Sequence, residues 1–301
     1  MKQLGVVLGS LLIAACAQQV VAPIAAPAIT DTRDYRPADL NAISAPAPTL
    51  REVYGSESPV QFGDLRVPEG NGPFPVAMLV HGGCWNNLGS INNFGPMAAW
   101  LADNGVATWN VDYRELQNGG GWPTTFVDWA GALARLRGLA QRYPLDLDRI
   151  TVIGHSAGTT AAVWLGTGDH GDFVLHKDLP HVRAGVLLDG PVSMASWIGP
   201  DAEICRNTPV IVPFMGGTPA EVPDRYGVVE PLSNPLKLKK LLFVAGALPP
   251  PPDGMLEAIR RQGVDTSRID LDGTSHFNML VPGTKDFAAI APAILQVAKG
   301  R

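Results

Sequence analysis

The feature that most constrains this chain is the turn Gly154-His155-Ser156-Ala157-Gly158, set between a β-branched run at 150–153 and an alanine-rich, helix-prone run at 157–165. It fits the G-x-S-x-G pattern, in which a strand bends sharply into a helix. In so tight a turn, side chains two residues on either side of the serine would collide with backbone, so both ends need glycine. Ser156 then projects from a sheet edge at a helix N-terminus, where backbone N–H groups and the helix dipole favour developing negative charge. A Gly-Ser turn without chemistry would not require this context.

The same rhythm runs along the rest of the chain. Apolar or β-branched runs predict strands over 60–67, 75–80, 106–111, 150–153, 182–188, 241–244 and 269–271. Helical spacing predicts helices over 126–142, 157–165, 254–261 and 287–297. This alternation predicts an α/β fold, a mostly parallel central sheet with helices on both faces. Ligands bind outside the carboxyl ends of such strands, so His81, Ser156, Asp189 and Gly246, each directly after a strand, are the first candidates. Residues 190–236 are rich in Pro and Gly and too long for an ordinary connection, which predicts an insertion over the active site.

Nothing in the middle of the 301 residues reads as a linker, so a single catalytic domain is expected over 49–301. With 23 Lys+Arg against 28 Asp+Glu and no block of like charge, nucleic acid is not an expected partner. Residues 1–15 read as an export signal, Lys2 followed by an apolar run too short to span a bilayer. Residues 16–48 have no periodicity that could bury a face and are expected to form a tether. Ile13-Ala14-Ala15-Cys16 resembles the lipobox of bacterial lipoproteins, which implies lipidation at Cys16. In that family Ala17, where aspartate is absent, implies the outer membrane of a Gram-negative cell, reached only through the lipid anchor. Ordinary cleavage, leaving a periplasmic protein, is the alternative. Cys84 and Cys205 would then lie where a disulfide is possible, but Cys84 sits in the candidate site loop, and free, partly buried thiols are the favoured reading.

Acyl transfer needs donors aimed at an oxyanion. The glycines of His81-Gly82-Gly83-Cys84-Trp85 let backbone N–H groups approach a substrate oxygen, and with the Ala157 N–H they would form the hole. His276, in the loop Gly273-Thr274-Ser275-His276-Phe277 after a short strand, can reach back to the serine as its base. His170, His176 and His181 lie in a polar stretch expected at the surface. No metal and no cofactor is expected, since the sequence lacks H-E-x-x-H, a Cys or His pair at ligand spacing and a phosphate-cradling loop.

His81 to Trp85, Asp112-Tyr113-Arg114, Gly154 to Gly158 and Ser275-His276-Phe277 together resemble the α/β-hydrolase superfamily. The nearest pattern is its esterase, lipase and kynurenine-formamidase-like branch, in which a tryptophan follows the HGG-type turn. The resemblance runs from Tyr54 to the C-terminus and implies the order serine, acid, histidine. Thr159 departs from it, standing where a further glycine is usual. The acid departs more, because Pro249 occupies the position after strand 241–244 where the family carries aspartate. Asp253, swung inward by the four prolines before it, is the favoured acid, Asp189 the alternative and Glu257 a third option. Trp85 and Trp122, with Trp197 and Phe214, are candidates for the pocket wall, and Asp112-Tyr113-Arg114 for a structural brace. The expected function is a serine hydrolase that cleaves short-acyl or small aryl carboxylic esters, a small-molecule substrate, through an acyl-enzyme. Arylformamide or other amide hydrolysis is the enzymatic alternative. A non-catalytic surface lipoprotein on the same scaffold is the reading from a different class.

Overall fold

The computed structural model describes residues 25–176 and 178–300, so the export signal, the lipobox and Cys16 lie outside the described residues. Within them eight strands form one sheet: β1 Leu50–Val53, β2 Phe62–Arg66, β3 Phe74–Val80, β4 Ala107–Val111, β5 Leu145–His155, β6 Val182–Leu188, β7 Lys240–Ala245 and β8 Asp265–Asp270. Their order is β1-β2-β4-β3-β5-β6-β7-β8. From β4 to β8 the neighbours run parallel, while β2 pairs antiparallel with both β1 and β4.

Side chains alternate across a strand, and β3 shows the consequence. Val76, Met78 and Val80 enter one core, Ala77 and Leu79 the other, and all five are fully buried because both faces are covered. The helices are α1 Pro37–Ala42, α2 Gly95–Asp103, α3 Thr124–Ala140, α4 Thr159–Leu165, α5 Pro200–Ile204, α6 Ile211–Met215, α7 Pro223–Val229, α8 Met255–Arg261 and α9 Lys285–Ala298. Phe126 and Trp129 of α3, Trp164 of α4 and Ile259 of α8 fill the first core. Leu40 of α1, Leu101 of α2 and Ile290 of α9 fill the second. The mostly parallel sheet between two helical layers is therefore the predicted one. Helices α5, α6 and α7 form the insertion between β6 and β7.

Three expectations need correction. Residues 31–42 are folded onto the domain and are not a tether: Asp31 bridges Thr284, the Tyr35 N–H donates to Asn278 Oδ1 at 2.8 Å, and Leu40 is fully buried. A few isolated anchors hold this segment, which is why no periodicity marks it. The last strand lies at 265–270 and not at 269–271; its edge position leaves most of its side chains in water, so it carries no apolar run. Cys84 and Cys205 are joined in a disulfide, not free. Among the described residues no helix is long and apolar enough to cross a membrane.

Candidate active site

Strand β5 lies near the middle of the sheet and ends at His155, and a 3-10 turn at Ser156–Gly158 leads into α4. Ser156 holds φ +52, a left-handed backbone rare for a residue with a side chain and kept only where the surroundings enforce it. A Cβ on Gly154 would lie 2.1 Å from the Gly158 carbonyl oxygen, and one on Gly158 would lie 2.1 Å from that of Val80. Glycine at both ends is thus demanded by contact with backbone. The Thr159 hydroxyl lies 2.7 Å from the Ser156 carbonyl and 2.8 Å from that of Pro191, so the departure from glycine ties the turn to the chain after β6.

His276 meets Asp189. Its Nδ1 lies 2.7 Å from Asp189 Oδ2, and because a carboxylate only accepts, Nδ1 carries the proton and Nε2 is left as the basic nitrogen. Asp189, which follows β6 directly, is buried and also left-handed at φ +48. It accepts the Gly246 N–H at 2.8 Å, the Ala247 N–H at 3.0 Å and the Leu248 N–H at 3.2 Å. Burial alone would raise this carboxyl, but the His276 contact and the Leu248 N–H outweigh it and hold it below the ordinary value. Asp253, the favoured acid from the sequence, is exposed and makes no hydrogen bond to His276 among the described residues. Glu257 is spent on Arg260 and Arg261. The chain after β7 brings no carboxylate to His276; it supplies the N–H groups that hold Asp189. The signal for Asp189 was present in the sequence as an aspartate at a strand end between the serine and the histidine.

The Gly-rich turn is fixed from below. His81, fully buried, places Nδ1 2.7 Å from the Gly82 carbonyl and Nε2 3.1 Å from Asp112 Oδ1. Both partners accept, which a doubly protonated ring satisfies. Burial opposes that charge, yet Asp112 and Glu115 outweigh burial and raise the imidazole. With the Gly82 carbonyl held, the planar peptide sets the Gly83 N–H on its opposite edge. Tyr113 Oη donates to the His81 carbonyl at 2.7 Å, and Arg114 pairs with Asp128 at 2.6 Å, so Asp112-Tyr113-Arg114 braces the turn. Glu115 lies beneath, its Oε1 3.2 Å from where a Cβ on Gly83 would sit, and burial raises its carboxyl to about 7. The His155 Nε2–H donates to the His276 carbonyl at 2.9 Å, while burial and then the neighbouring His276 push the imidazole down to about 3. It is a neutral support for the histidine loop.

Ser156, His276, Gly82 and Gly83 line one cavity of about 310 Å³, and Ala157 is buried beside the serine. Both side chains line this cavity, and no hydrogen bond joins Ser156 to His276 among the described residues. Trp85 and Trp122 are not in the cavity wall. Trp85 turns back at φ +51 to pack on Phe214, and Trp122 packs on Phe126 and Phe173. Trp197 and Phe214 are core residues as well. Apolar Leu88, Leu248 and Phe277 take their place, with Ile204 and Arg206 from the insertion. Arg206 went unnoticed in the sequence, and only the pairing of Cys205 with Cys84 could have brought it to the site. A larger cavity of about 510 Å³ beside Arg66 and Asp103 shares no residue with this one.

The family model described as BD-FAE matches residues 64–235, more than half of the chain. No curated protein sequence matches. Solved structures do. Esterase 2 of Thermogutta terrifontis, phosphoramylated by tabun, is 18% identical with a TM-score of 0.65, over 86% of this chain and 95% of that one. A truncated carbohydrate esterase from gut microbiota is 18% identical with a TM-score of 0.62, over 85% of this chain and 98% of that one. The bifunctional GH43-CE protein of Bacteroides eggerthii is 20% identical with a TM-score of 0.64 over 82% of this chain, which spans only 35% of its length. The fold is that of the α/β-hydrolases, with an insertion over the site.

Proposed function

This chain belongs to the BD-FAE family, and from that premise we propose that it hydrolyses carboxylic esters through an acyl-enzyme on Ser156. The observation that carries the reading is the Asp189–His276 contact at the cavity that Ser156 lines. His276 Nε2 takes the proton as Ser156 Oγ attacks the ester carbonyl, and Asp189 holds the ring in the tautomer this requires. The N–H groups of Gly83 and Ala157, beside Gly82, receive the oxyanion. Collapse expels the alcohol, which leaves with the proton from His276, and water then repeats the sequence to free the acid. A cavity of about 310 Å³ suits a short acyl or small aryl ester. Structures of the Thermogutta esterase with propionate and with butyrate bound point the same way. Export and lipidation at Cys16 remain part of the proposal, and unchanged membrane partition of Cys16→Ser would remove the anchor. A screen of p-nitrophenyl esters of rising acyl length, beside an N-formyl aryl amide and with Ser156→Ala as blank, tests the activity. Turnover of short esters above the blank is expected; turnover of the formamide alone would transfer the reading to amide hydrolysis.

A further inference from the structure

Arg206 is the residue with a permanent charge among those lining the cavity with Ser156 and His276. It follows Cys205, whose disulfide partner Cys84 adjoins Gly83 in the oxyanion turn. The Cys84 and Cys205 Cα atoms are 5.9 Å apart, which sets the Arg206 Cα within about 10 Å of the Cys84 Cα. Arg206 and Asn207 both hold left-handed backbone, at φ +60 and +59, immediately after the clamp. Arg51, Arg114, Arg142 and Arg149 each pair with a carboxylate, whereas Arg206, like Arg36, Arg66, Arg137, Arg183 and Arg225, forms no ion pair among the described residues; of these six it is the one that lines the cavity. The residue is exposed at the rim, in a chain whose formal net charge is -5. A cation without a carboxylate partner at the rim of this cavity is open to an anion from solution.

We propose that Arg206 is a specificity determinant that selects esters bearing a carboxylate, a reading that rests on the ester hydrolysis proposed above. The guanidinium fork takes the carboxylate, with two parallel N–H···O bonds available to it. Leu88, Ile204, Leu248 and Phe277 accommodate the hydrocarbon between that carboxylate and the ester carbonyl. The disulfide fixes the distance between charge selection and the oxyanion turn. A neutral ester of the same size loses the ion pair and keeps the rest.

The test compares kcat/KM for 4-acetoxybenzoate with that for its methyl ester, in the wild type and in Arg206→Gln and Arg206→Lys. A preference of about fivefold for the carboxylate is expected, what ~1 kcal/mol from an exposed ion pair provides. It should fall to one or below in Arg206→Gln, persist in part in Arg206→Lys, and shrink as salt is raised. Calorimetric binding of 4-acetoxybenzoate to Ser156→Ala, with and without Arg206→Gln, reads the same contact without turnover, and a matching loss of affinity is expected. An unchanged rate ratio and an unchanged affinity in Arg206→Gln overturn the proposal while leaving ester hydrolysis standing. If neither ester is hydrolysed but binding still depends on Arg206, the hydrolase reading fails and the anion site stands.

Discussion

Replacing Asp189 by asparagine changes one atom and sets the whole His276 geometry at risk. In the native site Oδ1 takes the Gly246 N–H at 2.8 Å, while Oδ2 takes His276 Nδ1 at 2.7 Å and the Ala247 N–H at 3.0 Å. An asparagine offers a single oxygen to these two sides. If its NH₂ faces His276, the ring must accept at Nδ1, so its proton moves to Nε2 and the base is lost. If the NH₂ takes the Oδ1 side, it meets the Gly246 and Leu248 N–H groups, donor against donor at a buried position, costing about 1–3 kcal/mol of stability. The first outcome lowers kcat by about 10³- to 10⁴-fold, or about 4 to 5.5 kcal/mol at 1.36 kcal/mol per tenfold. The assay is steady-state hydrolysis of a short p-nitrophenyl ester, with a thermal melt to establish that the variant is folded. KM should move by only a few fold, since the contact is to the base and not to the substrate. Asp253→Asn, an exposed substitution, should stay within twofold of wild type. A folded Asp189→Asn that keeps kcat within tenfold of wild type with no loss of stability, or an equally impaired Asp253→Asn, refutes this reasoning.

Other perturbations probe the turn and its supports. Gly83 holds φ +131 and a Cβ there would lie 2.4 Å from the Gly89 N, so Gly83→Ala should displace the donor and lower kcat by about 100- to 1000-fold in protein that still melts cooperatively. Burial raises Glu115 from 4.5 to about 7, so the native protein keeps a proton that the unfolded chain releases, and stability falls as pH rises across that window. Glu115→Gln should therefore gain up to about 3 kcal/mol at pH 8 and little at pH 4, read from urea melts; equal gains at both would contradict the burial argument. The disulfide closes a separation of 121 residues, and Cys205→Ser should cost about 4–5 kcal/mol by the chain-entropy relation while also weakening the carboxylate preference.

The strands that were legible are those whose two buried faces require continuous apolar runs, such as 75–80 and 182–188. Strand β1 and the polar edge strand β8 gave no such run, and both were missed or misplaced. The turn around Ser156 could be read because contact forces its two glycines, and His276 because it comes late in the chain. Asp253 was favoured over Asp189 because position after a strand was weighed for β7, and the prolines do not carry it to His276. Asp189 was legible as the alternative, an aspartate at a strand end, and what sets it above Asp253 is its contact with His276 and the three N–H groups after β7 that converge on it. Segment 31–42 and the Cys84–Cys205 link were hidden for one reason: each depends on contacts between residues far apart in sequence, which leave no local pattern.

Whether Ser156 is the nucleophile is decided most directly by mass spectrometry of the folded protein after brief exposure to a fluorophosphonate. The expected result is one adduct, on the peptide that carries Ser156, absent from Ser156→Ala and formed far more slowly in His276→Ala. Folded protein that remains unlabelled at Ser156, or that is labelled at the same rate without His276, would contradict the assignment.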